Sequence, residues 1–308
     1  MVYEHGESAK RMPEWMRRPI AREGSYETVR DLMKKLELHT VCQSAKCPNQ
    51  GECFSSGTAT FLAMGDVCTR NCRFCAVEAR KPRPLDAEEP ANIAQAVLLM
   101  RIKHAVITMV TRDDLHDGGA AHLAQIIRAV RDASPGTRIE VLTSDFRGDD
   151  DAIDVVSDAM PDVFNHNVET VPRLYAEVRP IAVYDRSLAV LQHVKQRHPV
   201  MPTKSGIMVG LGERFDEVVS VMQDLRAVGC DLLTIGQYLR PSRKHLPVTE
   251  FVHPEVFDRY AEEAVALGFS AVASAPFVRS SYHAGEMARG TTEASSLSGG
   301  AHGVQLWK

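Results

Sequence analysis

The stretch TATFLAMGDVCTRNCRFCAV, residues 58–77, decides the fold of this chain. Its first seven residues are an apolar run that predicts a buried β-strand. A dinucleotide-binding sheet would carry a glycine-rich G-x-G-x-x-G turn directly after such a strand. Three cysteines stand there instead, so the sequence favours a barrel whose first loop carries the chemistry over an open nucleotide-binding sheet.

Strand and helix alternate along the rest of the chain. Helical spacing predicts helices near residues 94–100, 121–131, 214–228 and 254–267. Such alternation at intervals of a few tens of residues is typical of βα units. We therefore expect an α/β fold, a partial (βα)6 TIM-like barrel with extensions at both ends. Five more apolar runs predict its other strands: HAVITMV from His104, RIEVLT from Arg138, DVFNHNV from Asp162, PTKSGIMVG from Pro202 and DLLTIGQYL from Asp231.

Composition divides the chain into three parts. Residues 1–57 predict an N-terminal extension, with a helical piece at 26–38 and then a cysteine-bearing loop. Residues 58–284 form the predicted barrel. Residues 285–308 are rich in Gly, Ser and Thr, which predicts a flexible C-terminal tail. Neither end has the composition of a second domain.

The bulk numbers exclude several classes of protein. With 44% hydrophobic and 25% charged residues, the chain is globular rather than disordered. A formal net charge of -4 gives no basic footprint for nucleic acid. No apolar run is long enough to cross a bilayer, and the start MVYEHGESAK lacks the layout of a signal peptide. We therefore expect a cytoplasmic protein with neither a nucleic-acid nor a membrane partner.

Cys68, Cys72 and Cys75 have the spacing C-x-x-x-C-x-x-C. Three thiolates on one short loop are able to converge on a single metal cluster. A four-iron cluster held by three ligands keeps one iron open for a small molecule. The alternative is a zinc knuckle, which would need a fourth ligand from elsewhere in the chain.

A second cysteine triplet lies upstream in CQSAKCPNQGEC, where Cys42, Cys47 and Cys53 have the spacing C-x4-C-x5-C. It again falls one ligand short of a closed site, which indicates a second cluster. A zinc site completed by His39 and a set of three ordinary thiols both stay open as alternatives. The seventh cysteine, Cys230, stands alone in an apolar segment and predicts an inert buried thiol.

The two cysteine patterns together resemble the lipoyl synthase family of radical S-adenosylmethionine enzymes. The resemblance covers about residues 12–284 and implies S-adenosylmethionine and two four-iron clusters as cofactors. It implies that a radical formed at the downstream triplet attacks an octanoyl chain on a carrier lysine, and that the upstream cluster donates two sulfur atoms. Five other segments agree with that family: RDDLHDGG from Arg112, NHNVETVPRLY from Asn165, TKSGIMVGLGE from Thr203, GQYLRPSRKHLPV from Gly236 and PFVRSSYHA from Pro276.

The resemblance also implies roles for single residues. Ser281 in the segment RSSY would be the fourth ligand of the upstream cluster. A serine oxygen binds iron more weakly than thiolate does, which suits a cluster that gives up sulfide. On residue type alone, Gly118 and Gly119 would equally fit a plain turn. Asn165, Asn167 and Glu169 would also fit the start of a helix. The residues expected to line the cofactor pocket are Gly118, Gly119, Asn165, Asn167, Glu169, Lys204, Ser205 and Glu213.

The partners that the resemblance implies are proteins. They are octanoylated lipoyl domains of 2-oxoacid dehydrogenase E2 subunits or glycine cleavage H protein, an electron donor such as ferredoxin or flavodoxin, and an iron–sulfur cluster carrier. The basic run of Arg240, Arg243, Lys244 and His245 is either a solvated loop or a contact for an acidic carrier or the cluster edge.

Two other iron–sulfur classes fit the sequence less well. A transfer-RNA methylthiotransferase also has three upstream cysteines, but it would carry a basic C-terminal RNA-binding module. An electron-transfer protein would need four protein ligands for each cluster and no large barrel.

Overall fold

The structure is a computed structural model that describes residues 12–17, 26–44, 47, 49–50, 53, 60–281, 284–288 and 305–307. Its strands are β1 His39–Thr40, β2 Thr60–Ala63, β3 Val67–Cys68, β4 Glu78–Ala79, β5 His104–Met109, β6 Arg138–Leu142, β7 Val163–Asn165, β8 Thr203–Val209, β9 Leu232–Gln237, β10 Ala271–Ser274 and β11 Gln305–Trp307. Its α-helices are α1 Tyr26–Lys35, α2 Val41–Ser44, α3 Glu89–Leu99, α4 Ala120–Ala133, α5 Asp150–Ser157, α6 Tyr175–Val178, α7 Tyr184–Arg197, α8 Phe215–Ala227 and α9 Pro254–Ala266. Residues 284–288 are also helical.

One nine-stranded sheet has the order β1-β2-β5-β6-β7-β8-β9-β10-β11. Neighbouring strands are parallel from β2 onward, whereas β1 runs antiparallel to β2. The short strands β3 and β4 pair with each other outside this sheet. Within the sheet each strand lies beside the next one along the chain, whereas a doubly wound sheet reverses its order at a switch point. This order is that of a barrel wall, and it confirms the predicted partial barrel.

All six predicted strands and the predicted helices are confirmed in the described residues. The strand β10, with the sequence AVAS, was not predicted, because four small residues give little hydrophobic signal. The strand β11 pairs with β10 and lies inside the segment predicted to be a flexible tail. The division of the chain at residues 57 and 284 stays a prediction.

Helices cover the outer face of the sheet. One core cluster lies around β2, β5 and β6 with helices α3 and α4, and a second lies around β8 and β9 with helices α8 and α9. Met287 and Ala288 pack against Val163, Leu232 and Ala271, the first residues of three strands. The stretch 284–288 therefore lies at the amino-terminal end of the barrel, and the carboxyl-terminal end is left for the functional loops.

Candidate active site

The downstream cysteines lie where the sequence placed them, beyond the carboxyl end of β2. Cys68 is the last residue of β3, and Cys72 and Cys75 follow on a tight loop in which the Cys75 N–H donates to the carbonyl of Cys72 at 3.0 Å. The backbone N–H of Arg70 donates to the sulfur of Cys68 at 3.4 Å. The loop is short enough to turn all three thiols toward one place.

The three thiols interact electrostatically with one another. Burial, with smaller contributions from Cys72 and Cys68, raises the pKa of Cys75 to about 12. Burial also raises the pKa of Cys72, while the neighbouring Arg179 guanidinium lowers it. The raised pKa favours the protonated thiols of Cys72 and Cys75 when no metal is bound, and thiolate ligation to a cluster would stabilise their charged form.

This donor set fits a cluster. Soft thiolates are the ordinary ligands of iron–sulfur clusters. Among the residues that the structure describes, no three His, Cys, Asp or Glu side chains are arranged to hold a single metal ion. The ligands of a four-iron cluster stand at separate corners and are farther apart than the ligands of one ion.

The glycine pair ends the loop after β5, at the start of the 14-residue helix α4. Gly118 and Gly119 have φ values of +60° and +89°, which strongly favour glycine. A Cβ at Gly119 would also collide with the sulfur of Met64, the residue that follows β2. The turn thus needs both glycines to bring a helix N-terminus close to the cysteine loop, and its predicted contact with the cofactor stays a prediction.

Glu169 lies beside the cysteine loop, because its carboxylate raises the pKa of both Cys72 and Cys75. Its φ is +67°, and its backbone is fixed by bonds to strand β8: its N–H donates to Gly206 and its carbonyl accepts from Met208. The Asn167 side-chain amide donates to its carboxylate at 3.1 Å. Burial raises the pKa of Glu169. A buried carboxyl group held in this way is suited to bind a cationic or hydroxyl group of a ligand.

Lys204, Asn165 and Ser205 have other partners. The Lys204 ammonium donates to Glu140 at 2.9 Å, and the Asn165 amide donates to the same oxygen at 3.2 Å. The hydroxyl of Ser205 accepts from the N–H of Val168 at 3.2 Å. Lys204 is the second residue of β8, so it lies near the amino-terminal end of the barrel. These contacts hold the barrel together, and the predicted cofactor contacts of the three residues stay untested.

Glu213 accepts hydrogen bonds from the backbone of the turn that it follows. The N–H of Leu211 donates to it at 2.9 Å, and the N–H of Gly210 also donates to it. The carboxylate therefore stabilises the loop after β8, and its predicted place in the wall of the cofactor pocket stays a prediction.

The first upstream cysteine, Cys42, lies at the other end of β2. Strand β1 pairs Thr40 with Phe61, and Cys42 follows in helix α2, where its thiol hydrogen-bonds with Thr60. Burial, with a smaller contribution from the Cys47 thiol, raises the pKa of Cys42 to about 11. The N–H of Cys47 donates to the carbonyl of Cys42 at 3.0 Å. Cys42 and Cys47 are therefore neighbours, as the predicted cluster requires.

The segment that carries Ser281 packs against this upstream loop. The Asn49 amide donates to the carbonyl of Phe277 at 2.8 Å, and the buried Arg279 guanidinium lies within electrostatic range of Cys47. Ser280 accepts from the Asn167 amide at 2.7 Å. Ser281 thus follows a segment fixed at both the upstream loop and the barrel, and its ligation to iron stays a prediction.

The basic run covers the downstream cysteine loop. The His245 ring donates to the carbonyl of Cys75 at 2.9 Å, and the N–H of Leu246 donates to the carbonyl of Arg73 at 3.1 Å. Arg240 donates to backbone carbonyls of its own loop, whereas Arg243 and Lys244 are exposed. The run is therefore partly a lid on the loop and partly a charged surface.

Some residues at this end of the barrel were not foreseen. The buried Arg70 is part of the cysteine loop, and the buried Arg179 lies beside Cys72. Nη1 of Arg179 donates to the carbonyls of Asn167 and Val168 at 3.0 and 3.2 Å. Nε of Arg179 has no hydrogen-bond partner within the described part of the chain. The position of Arg70 between two cysteines was the one signal that the sequence offered.

Comparison with known proteins fits this geometry. The family model of the radical SAM superfamily matches residues 62–225, and the model of the N-terminal domain of lipoyl synthase matches residues 1–47. A lipoyl synthase of Thioalkalivibrio sulfidiphilus is 54% identical over 92% of this chain and 89% of its own length. One from Caldanaerobacter subterraneus subsp. tengcongensis is 57% identical over 89% of this chain and 96% of its own length. The chain belongs to the lipoyl synthase family.

Solved structures show the same fold at low identity. Methylornithine synthase matches with a TM-score of 0.54 and 14% identity, over 80% of this chain and 74% of that chain. The FeFe-hydrogenase maturase HydG from Carboxydothermus hydrogenoformans matches with a TM-score of 0.53 and 14% identity, over 91% and 70%. None of the described helices is long and apolar enough to cross a membrane. The cytoplasmic location stays a prediction.

Proposed function

We propose that this lipoyl synthase inserts two sulfur atoms into an octanoyl chain that is attached to a lysine of a lipoyl carrier domain. The observation that carries the proposal is the pair of cysteine triplets on either side of β2. Cys42 contacts Thr60, the first residue of that strand, and Cys68 follows its last residue, Ala63. The four residues of this strand rise only about 13 Å and five residues lead from Ala63 to Cys68, so we infer that a substrate bound between the triplets reaches both.

Cys68, Cys72 and Cys75 would hold the radical cluster, which, once reduced by an external electron donor, would bind S-adenosylmethionine and supply the one electron that splits it into methionine and a 5′-deoxyadenosyl radical. Glu169, fixed by Asn167 beside these thiols, would bind the amino or ribose groups of the cofactor. The turn at Gly118 and Gly119 would let backbone groups approach it.

Cys42, Cys47, Cys53 and Ser281 would hold the second cluster, which is the sulfur substrate. The electrostatic interaction of Arg279 with Cys47 and the bond from Asn49 to Phe277 support this assignment, because they bring the serine segment to the upstream loop. A hydroxyl ligand leaves iron more readily than a thiolate does, which suits a cluster that must give up sulfide.

Radical chemistry is what the substrate demands. An unactivated methylene carries neither an acidic proton nor an electrophilic carbon, so a general base or a nucleophile has nothing to act on. Hydrogen-atom abstraction would give 5′-deoxyadenosine and a carbon radical, and the second cluster would supply both the sulfide that bonds this carbon and an iron that takes up the remaining electron. The barrel and its basic lid would exclude other hydrogen donors during this step.

The partners follow from the same chemistry. We propose octanoylated lipoyl domains of 2-oxoacid dehydrogenases or the glycine cleavage H protein as substrates. Ferredoxin or flavodoxin would supply electrons, and a cluster carrier would rebuild the second cluster. The exposed Arg243 and Lys244 beside the cysteine loop offer a positive surface to an acidic partner.

The proposal is tested by separating the two triplets. We expect Cys47→Ala to cleave S-adenosylmethionine at the wild-type rate without adding sulfur to an octanoylated carrier, whereas Cys72→Ala does neither. Cys230→Ala is the matched control, since that thiol is buried away from both triplets and donates to the carbonyls of Thr203 and Leu232. Sulfur addition by Cys47→Ala would refute the assignment of the two roles.

A further inference from the structure

Arg70 stands between two cysteines of the downstream triplet, and its side chain is only 4% exposed. Its Nε and Nη2 donate to the two carboxylate oxygens of Asp113 at 2.7 and 2.9 Å. The same Nη2 donates to Asp145 at 2.7 Å. Asp113 follows β5 and Asp145 follows β6, so one guanidinium joins the cysteine loop to two neighbouring strands of the barrel.

The backbone on the other side of this residue is fixed as well. The N–H and the hydroxyl of Thr69 both donate to the carbonyl of Thr111, at 3.0 and 2.9 Å. The N–H of Asp113 donates back to the Thr69 hydroxyl at 3.1 Å. The cysteine loop therefore has two anchors on the loop after β5, and Arg70 provides the connection to the loop after β6.

A buried ion network contributes little net stability, because the desolvation of its charges offsets most of their attraction. Apolar residues of the same volume would stabilise the barrel equally well. They would not, however, fix the position and orientation of the cysteine loop. The planar guanidinium uses two nitrogens on two carboxylates, and the single nitrogen of lysine cannot reproduce that geometry.

We propose that Arg70 is a positioning residue, which holds the Cys68, Cys72 and Cys75 loop at a fixed place relative to the strand ends and so aligns the cofactor with the substrate. This rests on the proposed function of the downstream triplet. Arg70 makes and breaks no bond itself. Without Arg70, S-adenosylmethionine is cleaved out of alignment with the octanoyl chain, so that a larger share of the radicals reacts without sulfur being inserted.

The test uses the full-length enzyme with both clusters loaded. In Arg70→Lys the charge stays and the two-carboxylate geometry is lost. We expect at least a tenfold rise in 5′-deoxyadenosine formed per sulfur atom inserted, and a changed electron paramagnetic resonance spectrum of the reduced radical cluster with S-adenosylmethionine bound. The iron and the spectrum of the upstream cluster should stay as in the wild type, which shows that the variant is folded.

Arg186→Gln is the matched control. Arg186 also contacts Asp145, at 3.4 Å, but it lies on helix α7 and is 31% exposed. We expect this variant to keep the wild-type ratio and spectrum. A wild-type ratio and spectrum in Arg70→Lys would overturn the proposal, and so would an equal effect of Arg186→Gln.

Asp113→Asn keeps the inference testable if Arg70→Lys does not fold. It removes one carboxylate at nearly unchanged volume, and we expect the ratio to rise in the same direction. No rise would overturn the proposal. Failure of the proposed function has a different signature, because the wild type itself would then form no 5′-deoxyadenosine.

Discussion

Replacing Lys204 with Met would leave the carboxylate of Glu140 buried without its cation. Both side chains are 0% exposed, and the ammonium lies 2.9 Å from the carboxylate. Removal of one partner of a buried pair costs about 3–5 kcal/mol. The lower end applies here, because His104 and Asn165 still donate to Glu140 at 3.3 and 3.2 Å.

A loss of about 3 kcal/mol lowers the melting temperature of a domain of this size by roughly 6–12 °C. Thermal unfolding followed by circular dichroism measures the shift. Glu140→Gln in the Lys204→Met background should recover most of it, because no buried charge is left. Lys195→Met is the control: its pair with Asp231 is partly exposed, and we expect less than half the shift.

The pH dependence sharpens this prediction. Burial alone would raise the pKa of Glu140, but Lys204 and His104 lower it to about 2. Because the folded-state pKa lies below the usual value of 4.5, the wild-type stabilisation is present above that value and is lost as the pH falls toward 2. Without Lys204 the carboxyl takes up a proton more readily, so the deficit of Lys204→Met should shrink from pH 8 to pH 5. Unchanged stability together with lost binding of S-adenosylmethionine would refute this reasoning and support the predicted contact of Lys204 with the cofactor.

Three further predictions concern the clusters and a buried histidine. Cys72→Ala should retain about four irons per chain and form no 5′-deoxyadenosine; cleavage at the wild-type rate would contradict the radical assignment. Ser281→Ala should cleave the cofactor but insert sulfur more slowly, by mass spectrometry of the carrier, whereas unaltered insertion would remove Ser281 from the ligand set. Burial lowers the pKa of His166 to about 4, so the unfolded chain binds a proton that the folded protein does not, and about 3 kcal/mol of stability is lost between pH 6.5 and 4. His166→Gln should lose that part of the pH dependence in denaturant titrations, and an unchanged slope would exclude His166 as the cause.

The parts of the fold that were predicted have strong local signals. Strands such as β5 and β8 are runs of apolar and β-branched residues that one sequence window reveals. The cysteine loop was predicted for the same reason, because its ligands lie within eight residues of one another. The strand β10 was missed because AVAS is short and its partners β9 and β11 are distant in sequence.

The unforeseen part of the site depends on contacts between distant residues. Nothing near Arg70 in the sequence indicates that Asp113 and Asp145 will meet its guanidinium. The cofactor contact of Lys204 was predicted from its segment and stays a prediction; as the second residue of a barrel strand, Lys204 lies near the end opposite the downstream cysteines. That rule on strand polarity would have favoured a partner such as Glu140 inside the barrel.

The central claim is that the upstream cluster is the sulfur source, and isotopic labelling tests it most directly. The enzyme would be loaded with heavy-isotope sulfide and then given S-adenosylmethionine, a reductant and an octanoylated carrier domain without free sulfide. We expect lipoyl product that carries two heavy sulfur atoms, in an amount of about one per chain. Product containing light sulfur, or several labelled products per chain, would contradict the account.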